Sequence, residues 1–331
     1  MEELTGRKQL VETGRELLEK GLVARTWGNV SCRLDDERFL ITPSGLDYTR
    51  TGEDDIVIYD RVKKTWEGTR KPSSEKGVHA CAYELFPDVN FVIHTHQAYA
   101  TALGLTGWDS MDITDEEKAK LGGIARAEYG LPGQKKLKNN VRKAMETGAK
   151  TVFMVNHGVV ICGADKEDAM EKAALLEEIC RRNCKGIDGR AKQADDDKAQ
   201  EIMDEVNKAY PEAKLVQTDA LIIQANKKKR IPAQLDDMAQ MIGRKIPAVS
   251  KRPKKIIKKL KRKNAVLVKN LGCVVRGRDE DDTEALGLLA DKAAISALHC
   301  RESGAKIKLS GFDVALMNIV YNLKYSKKKG E

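Results

Sequence analysis

The chain has 331 residues, 41% of them hydrophobic, 33% charged and 5% aromatic, with a formal net charge of +9. That length suits two domains of ordinary size; no apolar run approaches the roughly 18 residues of a membrane span, and so few aromatics exclude a base-stacking platform. The charge is uneven: residues 201–331 hold 28 Lys and Arg against 16 Asp and Glu, whereas residues 1–200 hold 31 against 34.

The first predicted element is a helix over 3–20, where Leu4, Leu10, Val11, Leu17 and Leu18 recur at near-helical spacing and Gly21 ends the run. This stretch mixes acids and bases without an apolar centre, so it does not read as a signal peptide. Strand-like runs follow at 29–34, 38–42 and 56–59, the first two split by Asp35 and Asp36. Pro72-Ser73-Ser74-Glu75 opens a helix, with serine expected at the cap and the acid in the first turn. Phe91-Val92-Ile93 is a buried strand running into His94, and a second helix reaches Leu103. A helix over 133–147, strands over 151–155 and 159–162, and a long helix from Asp165 complete the first half. Short strands alternating with helices indicate an α/β layered domain.

The seven cysteines (Cys32, Cys81, Cys162, Cys180, Cys184, Cys273, Cys300) include no CxxC pair. That pattern fits reduced thiols in a cytoplasm better than a disulfide framework. Cys180 and Cys184 lie one turn apart and read as small residues on one helix face rather than as a metal clip.

The polar segment 186–206 marks a boundary, giving domains over 1–190 and 205–331. Beyond it the chain repeats itself weakly. VFMVNHGVVICGAD (152–165) and VLVKNLGCVVRGRD (266–279) share six of fourteen positions, and FPDVNFVIHTH (from Phe86) has a fainter echo in YPEAKLVQTDA (from Tyr210). This predicts a degenerate, partial second copy in which Thr218, Ala220 and Leu271 stand where His94, His96 and His157 stand in the first.

Chemistry concentrates in the first half. On a strand, residues i and i+2 share a face, so His94 and His96 can reach one ion. His157 ends another apolar run and precedes Gly158, while Glu75 lies nineteen residues before His94. Three neutral imidazoles and a carboxylate match Zn²⁺, Mn²⁺ or another divalent first-row metal with a position open to substrate. Taken alone, an HxH pair is as often a surface or hydrogen-bonded core feature; the third histidine and the carboxylate favour the metal. His79, one turn after Glu75, reads as a structural helix histidine, with the alternative of a partner behind a ligand. His299 reads as core or surface.

Three turns have anion-binding character: Gly28-Asn29 with Ser31, Thr42-Pro43-Ser44-Gly45, and Ser73-Ser74 at a helix start. Each is an ordinary turn or cap by itself. Beside a metal site, together, they suggest a small phosphorylated substrate that chelates a cation.

GNVS (28–31), TPSG (42–45), KPSSE (71–75), the FPD…HTH block and NHG (156–158) together resemble the class II aldolase/adducin family, over residues 5–185. The resemblance implies a central, largely antiparallel sheet between helical layers, an α-β-α fold, and a homo-oligomer. It implies a divalent cation, Zn²⁺ above all, held by Glu75, His94, His96 and His157. The substrate phosphate would lie on Gly28, Asn29, Ser44, Gly45, Ser73 and Ser74. It further implies a lyase reaction: the metal stabilises an enediolate of a ketose phosphate, and Glu75 moves the proton. The family's epimerases place Asp where this chain has Glu75, which favours an aldolase over an epimerase or dehydratase on the same scaffold. Non-catalytic adducins lack the ligand set, which this chain keeps. Residues 106–128 depart from the pattern: the fuculose-phosphate aldolases carry an apolar stretch with a tyrosine there, and here none occurs before Tyr129.

In the basic half, Lys251 to Lys263 is dominated by Lys and Arg. A nucleic-acid surface is one reading. The apolar stripe of Ile256, Ile257 and Leu260 favours a solvated helix packed on one side, so neither nucleic acid nor membrane is an expected partner. Lys327 to Lys329 read as a frayed end.

Overall fold

The computed structural model describes residues 2–107, 111–187, 191 and 196–328. It divides into two units, 1–183 and 184–331. Trp108 to Ser110, part of the departing segment, and Lys329 lie outside the described residues, as do 188–190 and 192–195 within 186–206.

The first unit runs α1 (Glu3–Glu19), β1 (Asn29–Arg33), β2 (Arg38–Ile41), β3 (Val57–Asp60), β4 (Thr65–Glu67), α2 (Lys76–Leu85), β5 (Phe91–Thr95), α3 (Ala98–Thr106), α4 (Asp115–Lys120), β6 (Ile124–Ala127), α5 (Lys135–Met145), β7 (Thr151–Met154), β8 (Gly158–Gly163) and α6 (Lys166–Asn183). Its eight strands form one sheet in the order β4-β3-β2-β1-β5-β8-β7-β6. Every neighbouring pair is antiparallel except β6 with β7. This is the largely antiparallel sheet of an α/β fold.

Strand alternation sorts the two faces. Phe39, Ile41, Val92, Val152, Met154, Val160 and Cys162 form one core with Val78, Cys81 and Ala82 of α2 and Leu137 and Val141 of α5. On the other face Phe153 meets Gly104 of α3, where a Cβ would lie 3.3 Å from its ring. His94 shares its parity with Val92 and therefore faces the α2 side. Cys32, Cys81, Cys162 and Cys180 are buried, and burial pushes the Cys32 and Cys162 thiols up to about 12.

The second unit runs α7 (Asp196–Ala209), β9 (Lys214–Val216), α8 (Asp219–Asn226), β10 (Ile231–Pro232), α9 (Asp236–Met241), β11 (Lys245–Ile246), β12 (Ala248–Val249), α10 (Pro253–Leu260), β13 (Ala265–Val268), β14 (Gly272–Val275), α11 (Glu280–Glu302) and α12 (Gly311–Lys328). Helix α7, inside the segment expected to hold the boundary, buries Ala199, Ile202 and Val206 against Ile256 and Leu260 of α10 and the β13–β14 hairpin. The lysines of α10 therefore ride on a packed helix.

The four-stranded sheet, β12-β13-β14-β9, has the order and sense of β6-β7-β8-β5. Its hairpin register is also the same. Thr151↔Ile161 through Met154↔Gly158 in one unit matches Ala265↔Val275 through Val268↔Gly272 in the other. Asn156 and Asn270, in the two hairpin turns, take φ values of 65° and 58°. Val159 opposes Thr95, and Cys273 opposes Val216. By that register Leu215 and Gln217, rather than Thr218 and Ala220, stand at the places of His94 and His96. The sequence match slips because β9 is shorter than β5; Thr218 instead caps α8, as Gln97 precedes α3.

Candidate metal centre

Glu75 stands at the N-cap of α2, and its side chain makes no capping bond. No serine side chain caps the helix either: the Ser73 hydroxyl accepts the Glu75 N–H at 3.2 Å. With its side chain released from capping, Glu75 turns into the protein toward three imidazoles. His94 lies in β5, His96 just past its end, and His157 in the turn between β7 and β8 rather than within a strand. The His157 N–H donates to the Met154 carbonyl at 3.0 Å, and the His96 N–H to Leu22 at 3.2 Å.

These side chains converge. His94 Nε2 lies 3.2 Å from Glu75 Oε2, and His157 Nε2 lies 2.9 Å from Glu75 Oε1. His96 Nε2 lies 3.0 Å from His94 Nε2. The rings of His94 and His157 stack 4.9 Å apart, with His96 at 4.8 Å from His94 and 4.9 Å from His157. All four residues are buried, Glu75 and His96 at 8% exposure and His94 at 1%.

Two glycines permit this approach. A Cβ on Gly28 would meet the His94 carbonyl oxygen at 2.5 Å, and one on Gly158 would meet Thr95 O at 2.2 Å and His94 Cε1 at 3.1 Å. Only a residue without a side chain fits against β5 at either position.

The donor set tests its own fitness for a cation. His94 Nδ1 lies 2.9 Å from the Val159 carbonyl, which only accepts, so Nδ1 carries a proton, and in the neutral ring Nε2 presents a lone pair. An ionised carboxylate also only accepts. Burial works against the charge on Glu75, but the imidazoles of His157 and His94 outweigh it and hold the carboxyl well below the usual range. The short approaches therefore crowd lone pairs together unless a proton or a cation lies among them. Three histidines whose ligand atoms lie within 4.8 Å of one another could hold a metal ion, and with Glu75 they fit the nitrogen-rich set of a Zn²⁺-type site.

The anion-binding motifs are adjacent. Ser44 N–H donates to Lys71 O at 2.9 Å and Ser73 N–H to Thr42 O at 3.1 Å, so the two segments run side by side through a Pro43–Pro72 bridge. The Val30 N–H donates to the Thr42 hydroxyl at 3.1 Å, tying both to β1. Ser44 and Ser74 are exposed, Gly45 half-buried with φ 70°, and Ser73 buried. Asn29 differs from the rest. Its Nδ2 donates to Glu75 Oε2 at 3.1 Å and its Oδ1 meets His79 Nε2 at 2.5 Å, so its side chain is committed to the protein. His79 is buried with Nε2 against this amide, in the place of a partner behind a ligand, and Tyr83 lies one turn further on. The available signal was spacing: Glu75, His79 and Tyr83 recur every fourth residue, opposite Asn29 and Ser31 on alternate strand positions.

Within the departing segment, residues 115–120 form α4, with a Thr114–Glu117 capping box and Glu117 paired to Arg182 at 2.6 Å. Tyr129 is half-buried, its carbonyl accepting from Asn140 at 3.3 Å. His299 is a core group: its Nδ1 accepts the Lys185 N–H at 3.1 Å.

Fold and site together define an α/β protein with a mostly antiparallel sheet and a buried cluster of three histidines and a glutamate that could hold a metal ion. The profile of the class II aldolase and adducin N-terminal domain matches residues 8–184, and the chain belongs to that family. It is 31% identical over 188 residues to 3-oxo-tetronate 4-phosphate decarboxylase of Haemophilus influenzae, covering 55% of this chain and 88% of the relative. It is 30% identical over 195 residues to L-ribulose-5-phosphate 4-epimerase UlaF of Salmonella paratyphi B, covering 53% and 82%. Among solved structures, L-fuculose 1-phosphate aldolase superposes with a TM-score of 0.51 at 32% identity, over 54% of this chain and 85% of that one.

Proposed function

We propose that the first unit is a metal-dependent lyase of the aldolase type, acting on a small phosphorylated ketose and using Zn²⁺ or another divalent metal. The observation that carries this reading is the convergence of Glu75, His94, His96 and His157 on one buried point. A divalent ion there would act as a Lewis acid toward charge developing on substrate oxygens. Glu75, ionised and beside the ion, would take and return the proton at carbon. Gly28, Ser44, Gly45, Ser73 and Ser74 would receive the phosphate; Asn29 would contribute through its position beside them, its amide being engaged by Glu75. The 32% identity to an aldolase and the glutamate at position 75 support cleavage between carbons that releases an aldehyde.

A second reading has its own support. Relatives at 31% and 30% identity are a decarboxylase and an epimerase. Decarboxylation of a 3-oxo acid phosphate also breaks a carbon–carbon bond and leaves the electron pair next to a carbonyl, so the same residues could serve it. The two readings separate by product. The metal-loaded full chain is incubated with ketose 1- and 5-phosphates and with 3-oxo acid phosphates, and the products are read by mass. The aldolase reading expects dihydroxyacetone phosphate or an unphosphorylated analogue plus an aldehyde, with turnover reduced about 10²–10⁴-fold in Glu75→Gln. Release of carbon dioxide with a ketone phosphate one carbon shorter, and no aldehyde, supports the decarboxylase, and an epimer of unchanged mass, resolved from the substrate by chromatography, supports the epimerase. No turnover with any of them, or turnover indifferent to Glu75→Gln, contradicts both.

The second unit we read as a degenerate copy of part of the first, over 205–331 together with α7. Leu215, Gln217 and Leu271 at the three histidine places leave it without the ligand set. We place the protein in the cytoplasm as a homo-oligomer. Seven cysteines without a CxxC pair accord with a reducing compartment.

A further inference from the structure

Behind Glu75 lies a continuous chain of buried polar groups. Asn29 Nδ2 lies 3.1 Å from Glu75 Oε2, His79 Nε2 lies 2.5 Å from Asn29 Oδ1, Ser31 Oγ lies 2.6 Å from His79 Nδ1, and Tyr83 OH lies 2.7 Å from Ser31 Oγ. His79 and Ser31 are fully buried and Tyr83 is 3% exposed. Hydrogen-bond chemistry gives this chain one direction. The Glu75 carboxylate only accepts, so Asn29 must present its NH₂ to it and its carbonyl oxygen to His79. That oxygen only accepts, so His79 must carry its proton on Nε2. A neutral imidazole then has a bare Nδ1, so Ser31 must donate to it, and the Ser31 oxygen is left to accept from Tyr83. Burial, which holds His79 down at about 3, keeps the ring in the neutral state the chain requires.

We propose that His79 is a positioning residue which, through Asn29, holds the Glu75 carboxylate in the orientation needed to bind the cation, with Ser31 and Tyr83 fixing its tautomer. This rests on the metal reading above, deepening it, and reassigns Asn29 from phosphate contact to carboxylate support. Each link has one donor and one acceptor, so reversal of any one would leave two acceptors facing each other in a buried place. An aligned chain also polarises its members in the same sense, and the last N–H is the one offered to Glu75.

The test uses the full chain in four forms: wild type, His79→Leu, His79→Gln and Ser31→Ala. Glutamine carries an N–H donor at about the reach of Nε2, whereas leucine carries none. Nitrogen-15 spectra of the histidine rings in the metal-free protein should show His79 protonated at Nε2 and bare at Nδ1. Ser31→Ala should shift that Nδ1 resonance. Zn²⁺ affinity, measured by chelator competition, should fall about 10–100-fold in His79→Leu and recover to within a few-fold in His79→Gln. Thermal unfolding of the metal-free variants identifies any that fail to fold, in which case Ser31→Ala and the wild-type spectrum decide. An Nδ1-protonated His79, or a folded His79→Leu that binds Zn²⁺ like wild type, overturns the proposal. If wild type binds no Zn²⁺ at all, the metal reading fails and His79 has no cation to support, whatever its tautomer.

Discussion

His299 shows how a single buried ring ties stability to pH. Burial, helped by the charge of Lys185, lowers it from 6.5 to about 4, and its neutral Nδ1 accepts the Lys185 N–H. The folded-state value is depressed, so the unfolded chain binds a proton that the folded chain refuses between those two values. Its contribution is complete above pH 6.5 and is lost as pH falls toward 4. Urea unfolding of His299→Gln should therefore lose less stability than wild type across that window; equal slopes for the two proteins would contradict this. At the same scale, the linear motifs were the legible part of the site. His94, His96, His157 and Glu75 announce themselves by local spacing. The Tyr83–Ser31–His79–Asn29 chain does not, because its members meet only when β1 and α2 pack. The serine cap was misread for a related reason: Glu75 is the cap residue by position, but its side chain gains more from the imidazoles than from a capping bond.

Among the elements, the β7–β8 turn places His157 and is held by the close approach of Gly158 to the end of β5. Gly158→Ala would put a methyl 2.2 Å from Thr95 O, so β5 must yield and His94 move with it. We expect a loss of about 1–3 kcal/mol in unfolding free energy together with weaker Zn²⁺ binding; unaltered values for both would show that the turn relaxes freely. Strands β5, β7 and β8 were readable because they are continuous apolar runs. Strand β4 was not, because Thr65, Trp66 and Glu67 are all exposed at the sheet edge and carry no periodic signal. Strand β6 was not readable either, its short run Ile124-Ala125-Arg126-Ala127 carrying one large apolar residue and a charge. In the second unit the β13–β14 hairpin was legible, and the short β9 was what displaced the match by three positions.

For the whole molecule, the two-domain division and the α/β class follow from length and alternating elements, while the strand order, with parallel β6 joining an otherwise antiparallel sheet, needed coordinates. No helix among the described residues is long and apolar enough to cross a membrane. Helix α12 nevertheless leaves Phe312, Leu316, Ile319, Val320 and Leu323 exposed, while Val314 and Met317 on its other side are buried. A helix apolar on both sides calls for a second partner. Between Phe312 and Leu323 the one charged residue is Asp313, the lysines of the helix following from Lys324 on, and we propose a second copy of the chain as the cover of this apolar stretch. Light scattering should report a mass above one chain that falls in Ile319→Lys; a monomeric wild type would contradict the oligomer.

Zinc K-edge absorption on the Zn²⁺-loaded full chain measures directly whether residues from three elements share one cation. It should find three imidazole nitrogens at about 2.0–2.1 Å completed by oxygen, with one nitrogen lost in His157→Ala. A zinc shell of water oxygens alone, or one that His157→Ala leaves intact, would show that these side chains do not form a common site.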